Sequence, residues 1–222
     1  MLTLAERLTA TRAAIQAECL RLQRSEPTLI VVTKNHPVSL AQDLYALGER
    51  DFGENRVQEA EPKADLLADH QNLSWHLIGQ LQTNKVKQAL NFASSIHSLD
   101  RESLLLELQK RTMDIPNALD VFIQVNLTDD PGRGGISETE VLQFAERVAA
   151  TPTLRLRGLM AVAALDVPPV HDFEKVANLS GKLMKIFPAA SDLSIGMSND
   201  YLEALQFGAT HLRIGTAITG NR

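Results

Sequence analysis

Three segments of this chain carry residues that could do chemistry: "TLIVVTKNHP" from Thr28 to Pro37, "LSIGMSND" ending at Asp200, and "HLRIGTAITG" ending at Gly220. In the first, Lys34 follows an apolar run and reads in two ways. Solvated or ion-paired lysines are common at strand ends. A lysine held on a rigid strand and stripped of water is instead an amine able to attack a carbonyl carbon. In the second, Gly196, Ser198, Asn199 and Asp200 precede the helical run "YLEALQFG". Such residues are good N-caps, each worth about 1 kcal/mol. A helix N-terminus also presents free N–H groups and a positive dipole end to an anion. In the third, Gly215 allows a backbone to approach a ligand and Thr216 adds a hydroxyl donor. Arg213 is either a buried cation paired to a carboxylate or a permanent cation facing a ring nitrogen. In the second case the nitrogen stays unprotonated and withdraws electrons weakly.

Those residues must be positioned by the elements around them. Apolar residues at Leu4, Leu8, Ile15, Cys19 and Leu22 predict an opening helix. Short apolar runs then predict strands at Leu29–Val32, Ser74–Ile78, Ser94–Leu99, Val121–Leu127, Leu154–Met160, Leu193–Ile195 and His211–Ile214, with a shorter candidate at Arg50–Phe52. Amphipathic stretches between them include Ser39–Leu47, Asn84–Phe92, Glu102–Arg111, Glu138–Ala150 and Asp172–Phe187. Strands alternating with helices require a parallel sheet. Eight such units predict a (β/α)8 TIM barrel with an extra N-terminal helix, one domain over residues 1–222; a doubly wound open sheet is the rival. In a barrel the chemistry gathers at the C-terminal strand ends, and phosphate often binds the loops after strands seven and eight. Closure makes strands one and eight neighbours, so Lys34 would face that loop pair. A phosphorylated aldehyde would satisfy both ends.

Composition excludes several classes. The 222 residues carry a net charge of −5, which gives no reason to expect a nucleic acid or an anionic membrane as partner. Cys19 is the only cysteine, so neither an intramolecular disulfide nor a thiolate metal cluster can form. The longest apolar run, Leu159 to Leu165, is far too short for a bilayer, and the charged N-terminus lacks a signal-peptide core. A soluble cytoplasmic protein is expected. His76 and His97 read as packing or hydrogen-bonding histidines rather than metal ligands, and Trp75 as core. No nucleophile triad, P-loop or GxGxxG signature appears.

The segments "VVTKNHP", "FGENRVQEA", "WHLIGQLQTNK", "IQVNL", "LRGLMAV", "LSIGMSND" and "LRIGTAITG" occur in that order. Together they resemble the successive signatures of the pyridoxal phosphate homeostasis (YggS/PROSC) family, over nearly the whole chain. The resemblance implies a single barrel similar to the N-terminal domain of alanine racemase, with pyridoxal 5′-phosphate as cofactor. It places Lys34 as the lysine of the internal aldimine, and Asn55 and His76 as residues lining the pocket. Ser198, Gly215 and Thr216 match the phosphate-holding positions, Arg213 faces the pyridine nitrogen, and Met197 lies close to the ring. Three positions depart from the family pattern: Leu77 stands for a phenylalanine or methionine, Arg133 for a lysine, and Thr219 for a phenylalanine.

Racemases of this fold carry a second β-rich domain whose tyrosine supplies an opposing base, whereas this sequence ends at Arg222, just after the last expected barrel element. Two-base racemisation needs an acid and a base on opposite faces of the carbon, and Tyr45 and Tyr201 both fall in helical stretches. The expectation is therefore a carrier that holds the cofactor and delivers it to apo-enzymes, without robust catalysis, and a monomer rather than a dimer. A weak amino-acid racemase and a class I aldolase-like Schiff-base enzyme are the alternatives.

Overall fold

The computed structural model describes residues 2–113, 115–128, 134–164 and 167–220. Helix α1 (Leu4–Arg21) starts at a capping box: Thr3 Oγ1 accepts from the Glu6 amide while the Glu6 carboxylate accepts from the Thr3 amide. Its buried stripe of Leu8, Thr11, Ile15 and Cys19 has the spacing read from the sequence.

Eight strands follow: β1 (Thr28–Val32), β2 (Asp51–Glu54), β3 (Ser74–Leu77), β4 (Ala93–Leu99), β5 (Leu119–Asn126), β6 (Leu154–Met160), β7 (Asp192–Ser194) and β8 (His211–Ile214). Between and after them lie α2 (Val38–Ala46), α3 (Val57–Leu66), α4 (Val86–Ala89), α5 (Glu102–Arg111), α6 (Val141–Ala149), α7 (Pro169–Ile186), α8 (Tyr201–Gln206) and α9 (Thr216–Thr219). All pairings are parallel, and the order β4-β3-β2-β1-β8-β7-β6-β5 closes on itself through β4 and β5. The fold is thus a (β/α)8 barrel, and closure excludes the open doubly wound sheet. Strand β1 lies beside β8, with Thr28 opposite His211 and Val31 opposite Ile214, so Lys34 and the Gly215–Thr216 turn emerge side by side.

Three local differences from the sequence reading have physical causes. The expected helix Asn84–Phe92 is a 3-10 turn (Thr83–Lys85) followed by the single turn of α4. Only Val86 and Ala89 are buried there, too few to hold a longer amphipathic face. Strand β2 runs to Glu54 rather than ending at Phe52, because its ladder with β3 continues to the Glu54–Leu77 pair. A two-residue strand, Ile136–Ser137, pairs with the end of β5 where no strand was expected.

The apolar core lies mainly between the sheet and its helices. Leu29 and Val31 of β1, Val121, Ile123 and Val125 of β5, and Leu212 and Ile214 of β8 belong to it. Alternation sends the intervening residues to the barrel axis. Gly53 there abuts Ile30 and Val32 side chains. At the middle of the axis the packing turns polar, with His76, Ser95, His97, Ser194 and Arg213 buried together. Leu77 is buried in the sheet–helix core, so its departure from the family pattern changes packing only. Arg133 lies outside the described residues. No helix among the described residues is long and apolar enough to cross a membrane.

Candidate functional site

A cleft of about 560 Å³ opens among the loops at the C-terminal strand ends. Seven of the eight sequence-predicted residues line it: Lys34, Asn55, Met197, Ser198, Arg213, Gly215 and Thr216. His76 does not. Its ring is buried on the barrel axis, with Nε2 2.9 Å from Asp51 Oδ1 and Nδ1 2.7 Å from Ser95 Oγ. His97 is likewise a hydrogen-bonding axial residue, stacked on Phe122 with ring centroids 4.2 Å apart.

Lys34 sits in the turn just past β1, between the fully buried Thr33 and Asn35. The sequence reading considered a lysine stripped of water; the side chain is exposed instead, so any desolvation has to come from whatever fills the cleft. The turn beneath it is firmly anchored. Glu54 Oε1 accepts from Thr33 Oγ1 at 2.7 Å and from Lys63 Nζ at 2.6 Å, and Lys63 Nζ also donates to the Thr33 carbonyl at 2.8 Å. The Asn35 amide donates to Glu59 Oε2 at 2.9 Å. Asn35 itself takes φ = +60°, a left-handed conformation that asparagine tolerates better than most residues. Glu54 and Lys63 form a buried ion pair, and burial pushes the Glu54 carboxyl above its ordinary range despite the lysine. Helix α3 therefore reaches across to hold the lysine turn. Sequence reasoning missed this anchor, although Glu54 and Glu59 both lie in "FGENRVQEA".

Asn55 owes its place to Gly79. A Cβ on Gly79 would lie 2.5 Å from the Asn55 carbonyl oxygen, so only glycine lets the two backbones meet. The apolar wall includes Val162, Ala163 and Ala164, steadied by the Ala164 N–H, which donates to Asp172 Oδ2 at 2.8 Å at the start of α7.

The far end of the cleft is rich in donors. Ser198 Oγ accepts from the Gly215 amide at 3.2 Å and the Ala217 amide at 3.3 Å. Having accepted twice, its own O–H is left to donate. Thr216 lines the cleft beside it. The loop carrying Ser198 turns at Gly196, where φ = +89° and a Cβ would crowd Ala204 and Leu212. Asp200 Oδ1 caps the Met197 amide at 2.5 Å, and burial raises the Asp200 carboxyl above its ordinary value.

Arg213 forms the floor and is 4% exposed. Its NH1 group donates to the Ser194 carbonyl at 2.5 Å and to Ser194 Oγ at 2.7 Å, and NH2 donates to the Ala161 carbonyl at 2.8 Å. These bonds use three of the five guanidinium hydrogens. Burial lowers its pKa to about 10, with Asp200 partly opposing, so it stays cationic at neutral pH. The carboxylate considered from sequence is thus a neighbour acting through space rather than a bonded partner.

The profile of the family described as "Alanine racemase, N-terminal domain" matches residues 8–222. The pyridoxal phosphate homeostasis protein of Vibrio cholerae is 37% identical over 224 residues, covering 98% of this chain and 94% of that one. The Escherichia coli K12 protein of the same name is 37% identical over 227 residues, covering 99% and 97%. Among solved structures, PipY of Synechococcus elongatus with pyridoxal phosphate bound superposes with a TM-score of 0.87 at 32% identity, covering 98% of this chain and all of that one. PipY without the cofactor gives a TM-score of 0.88 at 33% identity and the same coverage. The chain belongs to the alanine racemase N-terminal domain family and, within it, to the pyridoxal phosphate homeostasis proteins.

Proposed function

We propose that this chain binds pyridoxal 5′-phosphate, holds it reversibly and covalently through Lys34 Nζ, and serves the intracellular homeostasis of that cofactor as a single binding unit in the cytoplasm. The observation that carries the reading is the gathering of Lys34, Arg213 and the Ser198–Thr216 donors around one cleft. The cofactor brings an aldehyde that condenses reversibly with an amine, releasing water, so water or a second amine can free it. The donor set suits its other two features. Ser198 O–H and Thr216 offer hydrogen bonds to a phosphate. Arg213 only donates, so it favours a ring nitrogen that accepts, and two of its hydrogens remain after the three bonds above. Asn55 and Met197 would flank the ring, and the apolar wall of Val162 to Ala164 would exclude water from its edge.

Lys34 is exposed, while its neighbours Thr33 and Asn35 are anchored by Glu54, Lys63 and Glu59. That combination supports a carrier: the amine is held in place, and its bond remains open to exchange with apo-enzymes that take up the cofactor. The test is an absorbance titration of purified protein with pyridoxal phosphate, run in parallel on Lys34→Ala. The expected result is a saturable new visible band in the parent and none in the variant. Equal affinity and identical spectra in the two proteins would rule out the covalent role of Lys34.

A further inference from the structure

Arg213 is one end of a hydrogen-bond chain that runs along the barrel axis through five strands. Its NH1 group donates to Ser194 Oγ, which lies 2.9 Å from His97 Nδ1. His97 Nε2 is 3.0 Å from Ser95 Oγ, Ser95 Oγ is 2.7 Å from His76 Nδ1, and His76 Nε2 is 2.9 Å from Asp51 Oδ1. Asp51 can only accept, so His76 donates to it through Nε2 and is left to accept at Nδ1. His97 Nε2 lies 3.1 Å from that nitrogen as well as beside Ser95 Oγ, and two bare lone pairs would repel there, so His97 Nε2 carries the hydrogen. Ser194, having accepted from Arg213, gives its proton to His97 Nδ1. The His97 proton then sits on Nε2 and goes to Ser95 Oγ. Ser95 gives its proton to His76 Nδ1, and His76 Nε2–H donates to Asp51. Every link is satisfied when both rings are neutral and protonated at Nε2. Burial, followed by the nearby His76, Arg213 and His211, keeps the His97 pKa well below its ordinary value, in keeping with a neutral ring.

We propose that Asp51, His76 and His97 are positioning residues for the cleft, acting through Ser194 to lock the Arg213 guanidinium in place from the opposite mouth of the barrel. Both NH1 hydrogens are thereby turned to Ser194, which leaves the remaining ones for a ligand. The distal end is accessible, since Asp51 lines a separate cleft of about 270 Å³ with Arg12, Glu49 and Arg50. Other charged or titratable groups flank the chain without joining it. His211 stands 5.9 Å from His97 between ring centroids and is bonded to Thr210 Oγ1. Asp192 and Arg157 act on His211, and Asp200 acts on Arg213. The consequence for a ring nitrogen rests on the pyridoxal phosphate reading; the chain itself does not.

Side-chain nitrogen NMR of the ligand-free protein reads the chain directly. At neutral pH both His76 and His97 should carry their proton on Nε2. D51A should shift the His97 and Arg213 side-chain resonances, and D51N, which keeps an oxygen acceptor, should restore them. In cofactor titrations D51A and S194A should weaken pyridoxal phosphate binding by about threefold to tenfold and displace the bound absorbance band, with D51N recovering most of the loss. A His97 proton on Nδ1, or His97 and Arg213 signals unmoved by D51A, would overturn the proposal. Absence of cofactor binding by the parent protein would instead defeat the reading of the cleft, and the NMR result would still decide the chain.

Discussion

The two mouths of this barrel use charge in opposite ways. At the N-terminal mouth, polar groups are paired with one another: Arg12 with Glu49, Arg155 with Asp120 and Arg157 with Asp192 as ion pairs, and Asp51 with His76 through a hydrogen bond. At the C-terminal mouth, donors face a cleft. Ser198 keeps its O–H, Arg213 keeps two hydrogens, and Lys34 stands on an anchored turn. Residues at the first mouth satisfy each other, while Ser198 and Arg213 at the second keep hydrogens for an outside partner. That division is the usual one for barrels of this class. What this molecule adds is a polar axis joining the two.

The largest effect should come from the buried pair beneath the lysine turn. Lys63→Met strands the Glu54 carboxylate in the interior and should destabilise the fold by about 3–5 kcal/mol in urea unfolding. Arg155→Ala, which removes a largely exposed partner of Asp120 at the other mouth, should cost no more than about 1 kcal/mol. Equal costs would erase the contrast between buried and rim pairs.

Next in size is Lys34→Ala. We expect pyridoxal phosphate affinity to fall by about a hundredfold, roughly 2.7 kcal/mol. Its exposed side chain should leave unfolding within about 0.5 kcal/mol of the parent. A residue that serves the ligand and not the fold must show that split, and a matched loss of stability would contradict it.

Ser198→Ala should weaken binding of the cofactor by about tenfold. Part of that loss reflects the amides of Gly215 and Ala217, which lose their common acceptor. Pyridoxal without its phosphate should bind parent and variant alike, which isothermal titration would show.

A pH slope sets the paired mouth apart as well. Burial lowers the His211 pKa to about 4, against an ordinary 6.5 in the unfolded chain. Between those values the unfolded chain binds a proton that the folded protein does not, so stability falls as pH falls, by at most about 1.4 kcal/mol per pH unit. Glu49, Glu54 and Asp200 have raised values and act in the opposite sense, since the folded state takes up their protons first. The slope is therefore read as a difference: His211→Asn should lose less stability than the parent between pH 6.5 and 4. Parallel curves would show that His211 titrates alike in both states.

The barrel was largely legible because β-branched runs such as Leu29–Val32 and helical stripes such as that of α1 announce themselves through burial. Helix α3 is weakly signalled, since Pro62 lies inside it and its buried face is only Val57, Ala60, Lys63 and Ala64. The same helix supplies Glu59 and Lys63, so the anchor of the lysine turn stayed hidden with it. The cleft residues were legible through their order along the strand ends. His76 was legible as a hydrogen-bonding histidine, but not its place on the axis, because which way its ring points along β3 depends on register. The axial chain could not be read at all. Asp51, His76, Ser95, His97, Ser194 and Arg213 come from five strands and meet only when the sheet closes.

The most direct test of the central claim is borohydride reduction of the protein mixed with pyridoxal phosphate, followed by peptide mapping of the modified lysine. The account predicts one major adduct, on Lys34, and its disappearance in Lys34→Ala. A major adduct on another lysine, or equal labelling of the parent and the variant, would contradict it.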